Sequence, residues 1–327
     1  MKAIRISEFG DPAVLKMAEV PEPRPREGEV LIEVKAAGVN YADILMRRGH
    51  YGVKQSLPFV PGFEAAGVVL EAGQGVSDWK PGQRAMGTVF RETCGCYAEK
   101  AVMPAWLLMP VPEKLSFEEA AAFPEVSVTA YLALHVFGRL TAGESVLIHA
   151  AGGGVGTAAV QLAHAMGARV FATSSSDEKL RKVRALGADV LINYSTHDFV
   201  EEVKKNTDGK GVDVALESVG GEVFDKSLKC LRPLGRLVAY GSSSGKPSTA
   251  AVKDLMQGIV SVASFSFGGL SVLRPDVIRE CMRAVMEFLM QGKIRPVVGH
   301  TFRLDEAPAA HELIGSRDSY GKVVLKP

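Results

Sequence analysis

The residues best placed to do chemistry form one run, Val146-Leu147-Ile148-His149-Ala150-Ala151-Gly152-Gly153-Gly154-Val155-Gly156, which continues into Thr157–Ala163. Its order is an apolar strand, a glycine-rich turn and a helix. A turn without β-carbons lets backbone N–H groups close on a pyrophosphate, and the helix start presents its unpaired donors to the same anion. A G-x-G-x-x-G spacing places its glycines at 151, 153 and 156; Ala151 stands at the first, and Gly153 and Gly156 fill the others. A glycine-rich helix entry can also serve close packing alone, so the context decides. A strand precedes, a helix follows, and a second strand comes at Arg169–Thr173. The run is therefore read as dinucleotide-binding, with Gly153, Gly154, Val155 and Gly156 as the phosphate cradle.

The choice of dinucleotide turns on the end of that second strand. NAD enzymes place an acid there to accept from the ribose hydroxyl. Here Thr173-Ser174-Ser175-Ser176 occupies the region, Ser174 stands at the acid's position, and Lys179 follows closely. Hydroxyls and a lysine suit a 2′-phosphate, which an acid would repel. Lys179 taken alone is equally well read as a solvated helix lysine. With the acid absent, the cofactor expected is NADPH.

Holding such a site takes a strand–helix alternation, and the chain supplies one from about residue 145 to 265. Strands are expected at Ser145–His149, Arg169–Thr173, Val190–Ile192, Val212–Glu217, Arg236–Gly241 and Val260–Phe265. Helices are expected between them at Val155–Met166, Asp177–Leu186, Phe199–Lys205 and Val223–Cys230. The crossovers are long enough for βαβ units, which favours a parallel, doubly wound sheet. The first hundred residues differ: Val30–Ala36 alternates with period two, Ala65–Glu71 is apolar, and Gly and Pro punctuate the rest. That rhythm suggests a compact β-barrel-like unit. Glu118–Phe123 and Val126–Leu140 read as helical. After Phe267-Gly268-Gly269 comes an amphipathic helix over Pro275–Gln291, then strand-like sequence at Val297–Leu304 and Gly321–Leu325. Ser242–Ser248 is the one polar loop long enough to move. The expected division is 1–124, 125–266 and 267–327, the last segment completing the first domain.

Composition excludes several classes. The 38 basic and 37 acidic side chains nearly cancel, so no broad field favours nucleic acid or an anionic membrane. No apolar run has the roughly 18–20 residues a bilayer span needs. Met1–Glu8 alternates like a strand and lacks a secretory core, and the four cysteines form no disulfide framework. A cytoplasmic protein is expected.

Four motifs, Asn40-Tyr41-Ala42-Asp43, Pro61-Gly62-Phe63-Glu64-Ala65-Ala66-Gly67, Ala150–Gly156 and Gly321-Lys322-Val323-Val324, occur in that order. Over essentially its full length the chain resembles the zinc-independent, zeta-crystallin-like quinone oxidoreductases of the medium-chain dehydrogenase/reductase superfamily. The resemblance implies an α/β protein with a GroES-like β-barrel catalytic domain, a Rossmann domain and a cleft between them. It implies NADPH as hydride donor, a quinone or α,β-unsaturated carbonyl as acceptor, and a homodimer formed through the edge of the Rossmann sheet. Residue by residue, Tyr194 matches a second 2′-phosphate contact, and Asn40 and Thr129 match positions near the nicotinamide. Phe265 and Phe267 match the closure of its pocket, and Lys322 matches a C-terminal contact. Ser218, Gly241 and Ser242 follow strands at the end where open α/β sheets bind ligands.

Zinc alcohol dehydrogenases of the same superfamily carry a Cys ligand where Asn40 stands and a His ligand where Phe63 stands. A catalytic zinc needs about three protein ligands, which Glu64 cannot supply alone. The structural-zinc lobe is reduced to Cys94-Gly95-Cys96, read as a loop with two reduced thiols. No metal is expected. Without a Lewis acid, an acceptor that takes hydride readily is the better match. Tyr51, Asn40 and Asp43 are the candidate catalytic residues, with Tyr41 and Glu64 beside them. Tyr51 resembles the tyrosine with which related enoyl thioester reductases protonate the substrate carbon; it could equally wall an apolar pocket, since a hydroquinone can take its proton from water. Asp43 and Glu64 form an acid–base pair or hold loops. A second function class remains open, a nucleotide-loaded interaction protein: Gly75–Gly82 and Ser266–Leu270 also resemble the vesicle-membrane-associated branch of the family.

Overall fold

The computed structural model describes residues 1–52, 55–90 and 95–327. Cys94, one of the two thiols singled out above, lies outside them, whereas Cys96, Cys230 and Cys281 are buried thiols in no disulfide. The chain opens with β1 (Lys2–Arg5), β2 (Lys16–Glu19), β3 (Glu29–Val39), α1 (Tyr41–Arg47), β4 (Glu64–Ala72), β5 (Arg84–Thr88), β6 (Lys100–Pro104), β7 (Leu108–Pro110) and α2 (Phe117–Ala121). Then come α3 (Pro124–Tyr131), β8 (Ser145–Ile148), α4 (Gly154–Ala165), β9 (Arg169–Ser174), α5 (Asp177–Arg184), β10 (Val190–Asn193), α6 (Phe199–Lys205), β11 (Val212–Glu217), α7 (Glu222–Leu228), β12 (Leu231–Ala239), α8 (Val252–Gly258) and β13 (Ser261–Ser264). The remainder is α9 (Phe267–Leu273), α10 (Pro275–Met290), β14 (Val298–Arg303), α11 (Ala307–Gly315) and β15 (Lys322–Lys326). Contacts divide the chain into two compact units, Met1–Val126 with Pro296–Pro327, and Ser127–Arg295.

The first unit is built on a sheet ordered β14-β15-β3-β4-β5-β7, with β6 also on β3. The period-two reading of β3 predicts one wet face, but the strand is buried almost throughout. It is flanked by β4, β6 and β15 along its length, and only Glu33 and Lys35, which pair with each other, stay half-exposed. The edge strand β14, by contrast, keeps the alternation. Between the walls lies a core of Ile4, Ile6, Val30, Ile32, Met46, Phe59, Phe63 and Tyr97.

The second unit is a six-stranded sheet ordered β10-β9-β8-β11-β12-β13, every pair parallel. Parallel strands covered on both faces read as continuous apolar runs, and β11 is buried at all six positions. The order reverses between β8 and β11, the switch point where such sheets bind ligands. Helix α3 is shorter than the Val126–Leu140 pattern suggests, because the chain widens at Leu132–Phe137 into a π-helical turn.

The boundary expected at 266/267 falls instead at 295/296. The chain stays with the second unit because Gln161 brackets Arg295: its Nε2 donates to the Arg295 carbonyl and its Oε1 accepts the Arg295 N–H, both at 3.0 Å. Phe288 of α10 also lies 6.3 Å from Tyr131, centroid to centroid. The Phe267-Gly268-Gly269 stretch, to which the sequence pattern assigns no element, begins helix α9, which is capped by the Ser266 hydroxyl accepting from Gly269 N–H at 3.2 Å.

Candidate functional site

In the second unit the glycine turn joins β8 to α4. Gly153 is the N-cap and no side chain caps it, so the first-turn N–H donors are left for a ligand or water. The tight turn needs glycine most at Gly156, where a β-carbon would lie 2.3 Å from the Ala150 carbonyl oxygen; at Gly153 the same oxygen is 3.3 Å away. Ala151 replaces the first glycine without strain, because the left-handed residue is its neighbour Ala150, at φ +49°.

Ser174, Lys179 and Tyr194 come together at the ends of β9 and β10. Asn193 pairs with Ser174, and the Tyr194 N–H donates to the Ser174 carbonyl at 3.1 Å. Lys179 lies along the glycine turn: a β-carbon at Gly152 would meet its Cβ and Cδ at 3.4 Å. Across the switch point, Ser218 and Gly241 are adjacent, since a β-carbon at Gly241 would lie 3.1 Å from the Ser218 carbonyl oxygen. The loop read as mobile is tied down here. Ser243 N–H donates to Ser218 O at 2.9 Å, Ser242 Oγ donates to Lys246 O at 3.1 Å, and Gly221 N–H donates to Ser248 Oγ at 3.0 Å. Phe265 stacks on Phe137 at 4.9 Å and near Tyr240 at 6.3 Å, as a packing residue would. Phe267, in the first turn of α9, and Thr129, in α3, are buried.

His149, to which the sequence pattern gives no role of its own, follows β8 directly before the turn. Its ring bridges Thr173 Oγ1 at 3.0 Å and Ser227 Oγ at 2.9 Å. Ser227 donates its own proton to Val223 O, so His149 Nε2 carries the proton and Nδ1 accepts from Thr173. Burial lowers its pKa to about 4. A neutral imidazole therefore pins the ends of β8 and β9 and helix α7 beneath the phosphate turn.

In the first unit Asn40 is the N-cap of α1 and forms a capping box with Asp43; its N–H donates to Asp43 Oδ2 at 2.8 Å. The sheet register Val39↔Val323 brings Lys322 beside Asn40. The Lys322 ammonium meets both Asn40 Oδ1 and Glu64 Oε1, and Asn40 Nδ2 donates to the same Glu64 oxygen at 2.8 Å. Glu64 Oε2 accepts the Glu125 N–H at 3.1 Å. A second chain runs outward from Asp43. Tyr97 donates to Asp43 Oδ2 at 3.1 Å, and its oxygen lies 3.2 Å from His311 Nε2. His311 Nδ1 in turn lies 3.5 Å from Arg47 Nη1. Tyr97 has one proton and spends it on Asp43, so His311 must donate through Nε2 and accept through Nδ1.

Burial, opposed by the Asn40 N–H and Lys322, raises Asp43 to about 7. Glu125 is raised well above the usual carboxylate range, first by burial and then by Glu64, whereas burial lowers His311 to about 3. Asp43 Oδ1 and Glu125 Oε2 are buried without a hydrogen-bond partner among the described residues. The structure thus brings Asn40, Asp43, Glu64 and Lys322 together and adds Tyr97, His311, Arg47 and Glu125, to which no spacing pointed. Tyr51 belongs to an aromatic group, 5.2 Å from Phe63, which is 5.9 Å from Phe90.

Known proteins match both units. Residues 26–113 match the alcohol dehydrogenase GroES-like domain and residues 154–290 the family described as zinc-binding dehydrogenase. A rat (Rattus norvegicus) quinone oxidoreductase is 35% identical over 330 residues, covering 99% of this chain and 97% of the relative. The chain belongs to the quinone oxidoreductase family of the medium-chain dehydrogenase/reductase superfamily. A 2-haloacrylate reductase from a Burkholderia species is 37% identical, with 98% of each chain covered. The solved structure of Escherichia coli quinone oxidoreductase complexed with NADPH superposes with a TM-score of 0.92 at 33% identity, covering 100% of both chains. Within this quinone oxidoreductase family member, the described residues contain no group of three or more His, Cys, Asp or Glu placed to hold a metal ion, and no helix long and apolar enough to cross a membrane.

Proposed function

We propose that this chain is an NADPH-dependent oxidoreductase that delivers hydride to a quinone or an α,β-unsaturated carbonyl without zinc. The observation that carries the reading is the corner where Ser174, Lys179 and Tyr194 meet beside an uncapped helix start. The groups present fit the cofactor. Gly156 lets the turn close tightly onto α4, where a β-carbon would strike the Ala150 carbonyl oxygen, the first turn of α4 offers backbone donors to a pyrophosphate, and a lysine with hydroxyls suits a 2′-phosphate. NADPH, when bound, supplies the hydride. The chain's own residues bind, orient and manage protons. Gly153, Gly154, Val155 and Gly156 hold the phosphates, Ser218, Gly241 and Ser242 line the far side of the switch point, and Asn40 orients the reacting end. Thr129 and Phe267 serve as further nicotinamide contacts, and Tyr51 either delivers the proton after hydride arrival or walls the acceptor pocket.

The assembly proposed is a homodimer in the cytoplasm. In support, β13 is an edge strand, and Leu234, Val252, Met256 and Ile259 expose 74, 70, 73 and 58% of their surface. Leu234 and Ile259 are joined by a backbone hydrogen bond of 2.7 Å, so these apolar groups share one face near that edge. Exposed apolar patches of this kind mark interaction sites.

The test is NADPH oxidation followed by absorbance with benzoquinone, phenanthrenequinone and an enone. Turnover with one of them is expected, together with no stoichiometric metal by elemental analysis. NADPH binding without turnover on any acceptor would replace this reading with that of a nucleotide-loaded interaction protein.

A further inference from the structure

The family resemblance makes Lys322 a cofactor contact, yet its ammonium is already engaged within the first unit. It is 3% exposed, and its ammonium is committed to Glu64 and Asn40, themselves 0 and 9% exposed. We infer that Lys322 and Glu64 are positioning residues that fix the Asn40 carboxamide in a single orientation for hydride transfer. This inference rests on the reading of Asn40 given under the proposed function.

The chemistry of the three groups allows one arrangement. An ammonium has only donors and a carboxylate only acceptors. The carboxamide must therefore turn its oxygen to Lys322 and its nitrogen to Glu64. A flipped amide would place NH₂ against NH₃⁺ and oxygen against carboxylate, losing two charge-assisted bonds at once. Glu64 is fixed independently: its second oxygen accepts the Glu125 N–H at 3.1 Å, and its carboxylate lies against the backbone of β3. At Gly38 a β-carbon would come within 2.6 Å of Glu64 Oε1 and 2.5 Å of the Ala121 carbonyl oxygen. The Asn40 backbone is held in turn by the Asp43 cap. The carboxamide thus has its main chain anchored at one end and both polar atoms taken at the other. Such a group cannot adapt to a misaligned ligand. It can hold one steady, which is what hydride transfer over a short distance requires.

The experiment compares the wild-type protein with K322R, K322M and E64Q/K322M. K322M alone leaves Glu64 as an unpaired buried charge and can fail to fold; the double variant removes both charges and keeps the proposal testable. Three quantities are read: proton exchange of the Asn40 side-chain amide by NMR without ligand, NADPH affinity by fluorescence, and the single-turnover rate with benzoquinone at saturating NADPH. In E64Q/K322M the amide should exchange at least about tenfold faster, NADPH affinity should stay within about twofold, and the hydride-transfer rate should fall about 10- to 100-fold. K322R, which can still donate to both partners, should recover most of the rate. A loss of NADPH affinity with the rate at saturation unchanged would make Lys322 a cofactor contact and overturn the inference. Unchanged amide exchange would overturn it as well. A wild-type protein that binds NADPH yet transfers no hydride overturns the catalytic reading instead, and the amide exchange alone then decides whether Lys322 holds Asn40.

Discussion

At the ligand end of the second unit the groups on offer are backbone N–H donors, hydroxyls and one lysine lying along a glycine turn, whereas the interior of the first unit holds a run of ionisable side chains, Arg47, His311, Tyr97, Asp43, Glu64 and Lys322, bonded to one another or through Asn40, with the Glu125 backbone N–H donating to Glu64. The first device depends on main-chain geometry and tolerates exchange of most side chains. The second depends on side-chain identity, because the buried charges of Lys322 and Glu64 compensate each other and removal of one leaves the other stranded.

The largest expected effect tests the second device. Lys322→Met should destabilise the fold by about 3–5 kcal/mol in denaturant unfolding, with much of the loss recovered in E64Q/K322M. A loss below about 1 kcal/mol in the single variant, the range of exposed ion pairs, would show that the pair is not buried as described. Next, Gly156→Ala sets a methyl against the Ala150 carbonyl oxygen and should cost about 1–3 kcal/mol, as overpacking does, and weaken NADPH at least about tenfold. Gly153→Ala has more room and should be milder. Equal losses at the two positions would remove the geometric basis of the turn. Third, Ser174→Asp should weaken NADPH about tenfold more than NADH, equivalent to about 1.4 kcal/mol, through repulsion of the 2′-phosphate; titration of both coenzymes decides.

The buried titrating groups make a smaller, pH-dependent prediction with opposite signs. Asp43 is raised from 3.8 to about 7, so its contribution to stability is full below about pH 4 and is lost as pH rises to about 7. His311 and His149 are lowered from 6.5 to about 3 and about 4, so theirs is full above about 6.5 and is lost as pH falls. Asp43→Asn should flatten the decline of melting temperature between pH 4 and 7, and His149→Gln the decline on the acid side. A variant whose profile parallels the wild type would show that its group titrates normally. The smallest effect is expected from Tyr51→Phe, which should slow enone reduction about tenfold while quinone reduction changes little; equal effects would make Tyr51 a pocket wall.

Legibility in the sequence followed the same division. The phosphate turn and the six parallel strands could be read because their signals are local: glycine spacing, short apolar runs, and helices at crossover distance. Strand ends at 148, 174, 193, 217 and 264 lie within about two residues of the expected ones. The polar interior was far less readable. Asn40, Glu64 and Lys322 meet only through pairing of β3 with β4 and β15, and the family resemblance, not their spacing, drew attention to them. Tyr97, Arg47 and His311 carried no signal, since an isolated tyrosine, arginine or histidine looks the same in sequence whether solvated or buried. Helices α8 and α9 are not assigned from the sequence: each is only seven residues long and carries glycine within it, so its periodicity is weak.

The pairing of Val39 with Val323 has a consequence for how the protein is made. The second unit is continuous in sequence and can fold while the ribosome is still extending the chain. The sheet of the first unit stays open at β3 until β15 has emerged, after the whole of the second unit. Through that interval Glu64 has no ammonium to meet, and β15 is the strand that brings it one.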